Sequence, residues 1–138
     1  MEFLLGSYIS KDLKRIGVQS AKEDIENHYK IFRGRVKEIG SPYSVPLANF
    51  LYQTTVDGTT VSFFKDRCAT TKPMLSPSKG MRIIFAHFVI DKKPVKYIPF
   101  IVFLAKEEGA KYRAPNGKKY PLTSSYFKYI IESKLECL

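Results

Sequence analysis

The chain has 138 residues, 44 % of them hydrophobic and 14 % aromatic, a composition that excludes a disordered polymer and supplies enough apolar mass for one domain with a real core. No apolar run reaches the roughly 18–20 residues of a membrane-spanning helix. The net charge of +10 is unevenly spread: residues 1–60 carry 8 basic and 7 acidic groups, residues 61–138 carry 15 and 6. An excess confined to one half points to a polyanionic partner rather than to general solubility.

EFLLGSYI (2–9) reads as a first strand. Its acid before a short apolar run is unlike a secretory signal, so a cytoplasmic protein with reduced thiols at Cys68 and Cys137 is expected. SKDLKRI (10–16) predicts one or two helical turns with Ser10 as N-cap, and Ser20 with Glu23 has capping-box spacing. Ile25, Tyr29, Phe32, Val36 and Ile39 recur at steps of four and three, one face of a helix ending at Gly40. Two β-prone runs, ANFLYQTTV and TTVSFFKDR, meet at Asp57-Gly58, a strong hairpin signal. A Lys/Pro/Ser loop (71–80) leads to a buried-type strand (81–90), a basic turn (91–94) and a further strand (95–105), in which Pro99 demands an edge or a bulge. A basic loop (109–122) turns at Asn116-Gly117. Thr123 or Ser124 caps a last helix whose buried face is Tyr126, Phe127, Ile130, Ile131 and Leu135.

This order predicts an α+β domain over 1–138, with 109–138 as a C-terminal extension. A twisted, mostly antiparallel sheet of about five strands carries the N-terminal helices on one face, and a C-terminal helix follows. The opposite face is left for the cations. Lys65 and Arg67 stand at i and i+2 of a strand and share a face with Phe63, while Phe64 points into the core. Arg82 opens the next strand and Lys106 ends the last one, so antiparallel pairing brings all four towards one end of the sheet. Lys72 and Lys79 in the loop, Lys92 and Lys93 in the turn, and Tyr112 and Arg113 beyond are further candidates for contacting nucleic acid.

Other chemistry is weakly marked. His28 and His87 lack ligands at metal spacing, Cys68 lacks a neighbouring base, and no phosphate-binding glycine loop or nucleophile elbow is present. Glu107 and Glu108, as consecutive strand residues, would face opposite sides unless the strand has ended. No metal or cofactor is expected. Clustered Lys and Arg suffice for RNA cleavage: the 2′-OH attacks its own 3′-phosphate, and fixed cations stabilise the charge that gathers on the phosphoryl oxygens.

The segments Lys65-Asp66-Arg67, Ser76 to Gly80, Gly80-Met81-Arg82-Ile83-Ile84 and Phe103 to Glu108, in that order, resemble the RelE/HigB group of toxins from toxin–antitoxin modules. The resemblance spans 2–108. It implies a metal-independent endoribonuclease that cleaves messenger RNA, commonly at the ribosome, and a cognate antitoxin that covers the basic face. It also implies that Lys65 and Arg67 contact or activate the scissile phosphate, that Arg82 stabilises it and that Lys106 assists. Two alternatives stay open from the residues: a nucleic-acid- or ribosome-binding module without catalysis, and a basic protein-interaction inhibitor from a mobile element.

Overall fold

The computed structural model describes residues 1–88 and 96–137; Lys92 and Lys93, with the turn expected at 91–94, lie outside the described residues. The chain forms β1 (Glu2–Phe3), α1 (Ser10–Ile16), α2 (Ala21–Ile39), β2 (Asn49–Val56), β3 (Thr59–Cys68), β4 (Met81–Phe88), β5 (Lys96–Leu104), β6 (Lys111–Arg113), β7 (Lys119–Pro121) and α3 (Phe127–Glu136). Strands β2 to β5 are a run of antiparallel neighbours, and β1 joins β5 in parallel. The order is β1-β5-β4-β3-β2, so the five-stranded sheet is mixed, and β6 and β7 form a separate two-stranded ribbon. Among the described residues, no helix is long and apolar enough to cross a membrane.

Local chemistry explains most elements. Asp57 and Gly58 both take positive φ (49° and 77°), as a two-residue hairpin matched to strand twist requires. The face of α2 read from the sequence is buried at Ile25, Tyr29 and Phe32, and its far end at Ile39 is exposed. Pro99 sits in β5, between β1 and β4, and not at an edge. The ladder slips there, with Ile84 opposite Ile101 and Phe85 opposite Pro99. Phe100 is the extra residue of a bulge, where a missing N–H costs no regular pair.

The first strand is shorter than 2–9. It pairs only at Glu2 and Phe3 before a 3-10 turn over Ser7–Ile9 swings Tyr8 onto Phe100, with ring centroids 4.0 Å apart. Because that turn runs straight into α1, Ile9 and not Ser10 is the N-cap. Ser20 precedes α2 without capping it; its hydroxyl instead donates to Asp24 and accepts from the backbone N–H groups of Thr71 and Lys72. Tyr126, rather than Thr123 or Ser124, precedes α3, again without a side-chain cap.

Among the described residues, both faces of the sheet are covered over β3, β4 and β5, while β2 stays largely open. On one side α1 and α2 cover Phe64, Ile83, Phe85, Tyr97 and Val102. On the other, Val61, Phe63, Ile84, Phe100 and Phe103 are sealed by Tyr112, Leu122, Phe127, Ile130 and Ile131. The segment after β5 thus supplies a second layer in place of the open surface expected for the cations. Burying its three large α3 side chains contributes about 1.5–3 kcal/mol each. Of the cations that β3 and β4 carry on this face, Lys65 and Arg67 reach solvent where the layer stops, at the end of the sheet where Arg67 faces the buried Arg82.

Candidate functional site

Strand register puts the first part of the site together. Arg67 and Arg82 are direct partners across β3 and β4, and Lys65 faces Ile84 two residues further along. Lys65, Arg67 and Arg82 line one cleft of about 390 Å³, with Leu47, Asn49, Asp66 and Glu108. Three of the four expected cations therefore converge. Lys106 does not line the cleft. The strand ends at Leu104, and a 3-10 turn over Ala105–Glu107 carries Lys106 away into solvent. Glu108 comes back in its place.

The three cations are held differently. Arg82 is 5 % exposed; its Nε donates to Glu108 at 2.9 Å, Nη1 to the carbonyl of Pro77 at 2.9 Å and Nη2 to that of Ser78 at 3.0 Å. It anchors the loop as well as lining the cleft. The loop is kept close by Gly80, where a Cβ would collide with the carbonyl oxygen of Cys68 and lie 3.0 Å from that of Ser76. The Lys65 ammonium is 3.6 Å from the same Glu108 oxygen that Arg82 binds and lies over the rings of Phe127 and Phe103, 5.5 and 5.8 Å from their centroids. Arg67 is exposed and, among the described residues, has no ion-pair partner.

Glu108 is not legible in the sequence as a site residue. Partial burial pushes its carboxyl upward, but the Arg82 hydrogen bond and the charges of Lys65 and Arg82 outweigh this and hold it below the ordinary glutamate range. At neutral pH the cleft therefore holds three cations and this ionised, half-exposed carboxylate. Asp66 contributes from the opposite face of β3. It is buried, accepts from the backbone N–H of Arg67 and bonds to His28 Nε2 at 2.9 Å, while His28 Nδ1 meets the Tyr97 hydroxyl at 2.7 Å. His28 is thus a satisfied interior histidine beneath the cleft.

The remaining candidates lie elsewhere. Lys72 and Lys79 are exposed on the loop before β4. Tyr112 is buried, and its hydroxyl donates to Asp12 at 2.6 Å; desolvation and then the Asp12 charge push its pKa well up. It is a structural member of a second charged cluster, not a stacking residue. Asp12 there also accepts from Arg15, the backbone N–H of Val102 and Lys134. Lys134 donates further to the carbonyls of Tyr8 and Phe100; burial lowers its pKa, and Asp12 offsets part of that. This cluster floors a cavity of about 850 Å³ between α1, the β6–β7 ribbon and α3, with Arg113 at its rim.

Cys68 is buried, and desolvation, helped by Asp24 and Asp66, pushes its thiol up to about 12, which makes it a poor nucleophile. Among the described residues, no group of three His, Cys, Asp or Glu side chains is placed to hold a metal. No family model matches the chain, and neither a curated protein nor a solved structure matches it.

Proposed function

We propose that the chain is a toxin-type endoribonuclease of RelE/HigB character, acting in the cytoplasm on messenger RNA, at the ribosome or free, and restrained by a cognate antitoxin. The observation that carries this reading is the cleft in which Arg67, paired across the ladder with Arg82, meets Lys65 and the ionised Glu108. Arg67 and Lys65 bind the non-bridging phosphoryl oxygens, and Arg82 fixes Glu108. The substrate 2′-oxygen bonds to phosphorus while the bond to the 5′-oxygen breaks. The 2′ proton passes to Glu108, the departing 5′-oxygen takes a proton from solvent water, and the products end in a 2′,3′-cyclic phosphate and a 5′-hydroxyl. Lys106, outside the cleft, contributes only to the long-range field.

Expression should arrest growth and leave cleaved transcripts with those ends. Arg67→Ala and Glu108→Gln should each suppress cleavage. Undiminished cleavage by the folded Arg67→Ala protein rejects the site. One observation favours a second reading, a nucleic-acid-binding module without cleavage: every nitrogen of the Arg82 guanidinium already donates to the protein, and Lys65 shares its carboxylate. RNA bound but recovered intact, with ribosomes present, selects that reading.

A further inference from the structure

Residues 109–129 carry five basic side chains (Lys111, Arg113, Lys118, Lys119 and Lys128) and no acidic one. The same segment gathers three tyrosines. Tyr120, on β7, stacks on Tyr129 of α3 with ring centroids 5.8 Å apart and planes 18° from parallel. Tyr126 closes the group at 6.1 Å from Tyr129 and 6.4 Å from Tyr120. Tyr120 is half-buried against the core, but the two rings of α3 and its approach are not core. Tyr126 is 40 % and Tyr129 42 % exposed, whereas Phe127, Ile130 and Ile131 on the inner face of the same helix are fully buried.

One cation lies against the rings and others flank them in sequence. Lys128 lies over the Tyr129 ring at 5.1 Å. Lys118 and Lys119 are exposed just before Tyr120, and Asn116 donates its side-chain amide to the Tyr120 hydroxyl, tying the ribbon's turn to the ring group. Strand alternation puts Lys119 and its ladder partner Arg113 on the outward side of the ribbon, opposite to Tyr120. The acids of α3, Glu132 and Glu136, come only one and two turns beyond Tyr129. Exposed aromatic faces beside ammonium groups, with the nearest acid, Glu132, one turn further along α3, match the two needs of single-stranded nucleic acid: a π-face for each base and a cation for each phosphate.

We propose that this ledge is a second binding site, on which Tyr126 and Tyr129 stack bases of single-stranded RNA while Lys118 and Lys128 meet its phosphates. The inference rests on the reading that the chain's partner is RNA, and it adds a non-catalytic binding surface distinct from the cleft. In that role the ledge holds the strand while the cleft acts.

The test uses the full chain and a labelled 2′-O-methyl oligouridylate of about twelve nucleotides, within the length one such surface covers; blocking the 2′-oxygen prevents cleavage. The chain has no tryptophan and nine tyrosines, so stacking is read as the part of the tyrosine quenching that substituting Tyr126 and Tyr129 removes. Tyr126→Leu combined with Tyr129→Leu should weaken binding about tenfold to a hundredfold and leave the slope of log affinity against log salt unchanged. Tyr126→Phe with Tyr129→Phe should bind as the parent does. Lys118→Ala with Lys128→Ala should lower the salt slope by about one for each phosphate left without its lysine. A folded double-leucine protein that binds as tightly as the parent overturns the inference, as does equal weakening in the double-phenylalanine protein. Failure of the nuclease reading looks different: natural RNA stays intact with every variant while the tyrosine-dependent affinity persists.

Discussion

Two clusters in this molecule are built from the same parts. In the interior, Asp12 is surrounded by Arg15, Lys134 and Tyr112; in the cleft, Glu108 is surrounded by Lys65 and Arg82 with Arg67 alongside. The difference lies in what is left over. Asp12 is 1 % exposed and takes bonds from every neighbour, while Lys134 directs its donors to two carbonyls and that carboxylate. Neither Asp12 nor Lys134 keeps anything for a ligand, and the cluster acts as a bolt between α1, β5 and α3. The cleft keeps the donors of Arg67 turned to solvent and Glu108 half in water. Charge density alone marks neither as functional; surplus hydrogen-bonding capacity facing solvent does.

That contrast can be broken most directly at Asp12. Asp12→Ala strands Lys134 and the Tyr112 hydroxyl in the interior and should cost about 3–5 kcal/mol in urea unfolding; a drop under about 1 kcal/mol would mean the bolt carries no load. Next in size is His87, 3 % exposed, whose Nε2 has no partner among the described residues. Desolvation lowers its pKa to about 4. As pH falls from about 6.5 towards 4, the unfolded chain takes up a proton the folded chain refuses, so stability drops by about 3 kcal/mol across that window. On acidification the melting temperature of the parent should fall relative to that of His87→Leu; parallel curves would deny the effect.

Gly80→Ala, forced against the Cys68 carbonyl, should cost about 2 kcal/mol and shift the loop that holds Arg82. An unchanged midpoint would show that the close approach is not needed. The smallest stability change belongs to Arg67→Ala, within about 0.5 kcal/mol of the parent, yet this substitution should lower the salt slope of RNA binding by about one. A large destabilisation there would put Arg67 with the interior cluster and remove the contrast.

Much of the frame is readable from residue order. The Asp57-Gly58 turn, the stripe of α2 and the pairing of Arg67 with Arg82 follow from backbone preference, helical period and antiparallel register. The second layer over Phe63 is hidden because the pattern of Phe127, Ile130 and Ile131 says that a helix face is buried but not which side of a sheet buries it. Tyr112 escapes the sequence for the same reason: its partner Asp12 lies 100 residues away. Lys106 falls outside the cleft because extrapolating β5 assumes it stays extended, whereas it coils at Ala105. Glu108 has one trace in the sequence, an acid pair directly after a basic residue at a strand end.

That coil has a consequence for how the chain tolerates change. Glu107 reaches back to Arg15 at 2.9 Å and Glu108 reaches across to Arg82 at 2.9 Å, so neighbouring residues serve opposite sides of the molecule. One residue inserted or deleted between Leu104 and Glu107 would misalign both at once, whereas the tip at Asn116-Gly117 can lengthen without disturbing either. Length variants should therefore be accepted at that tip and refused at the coil.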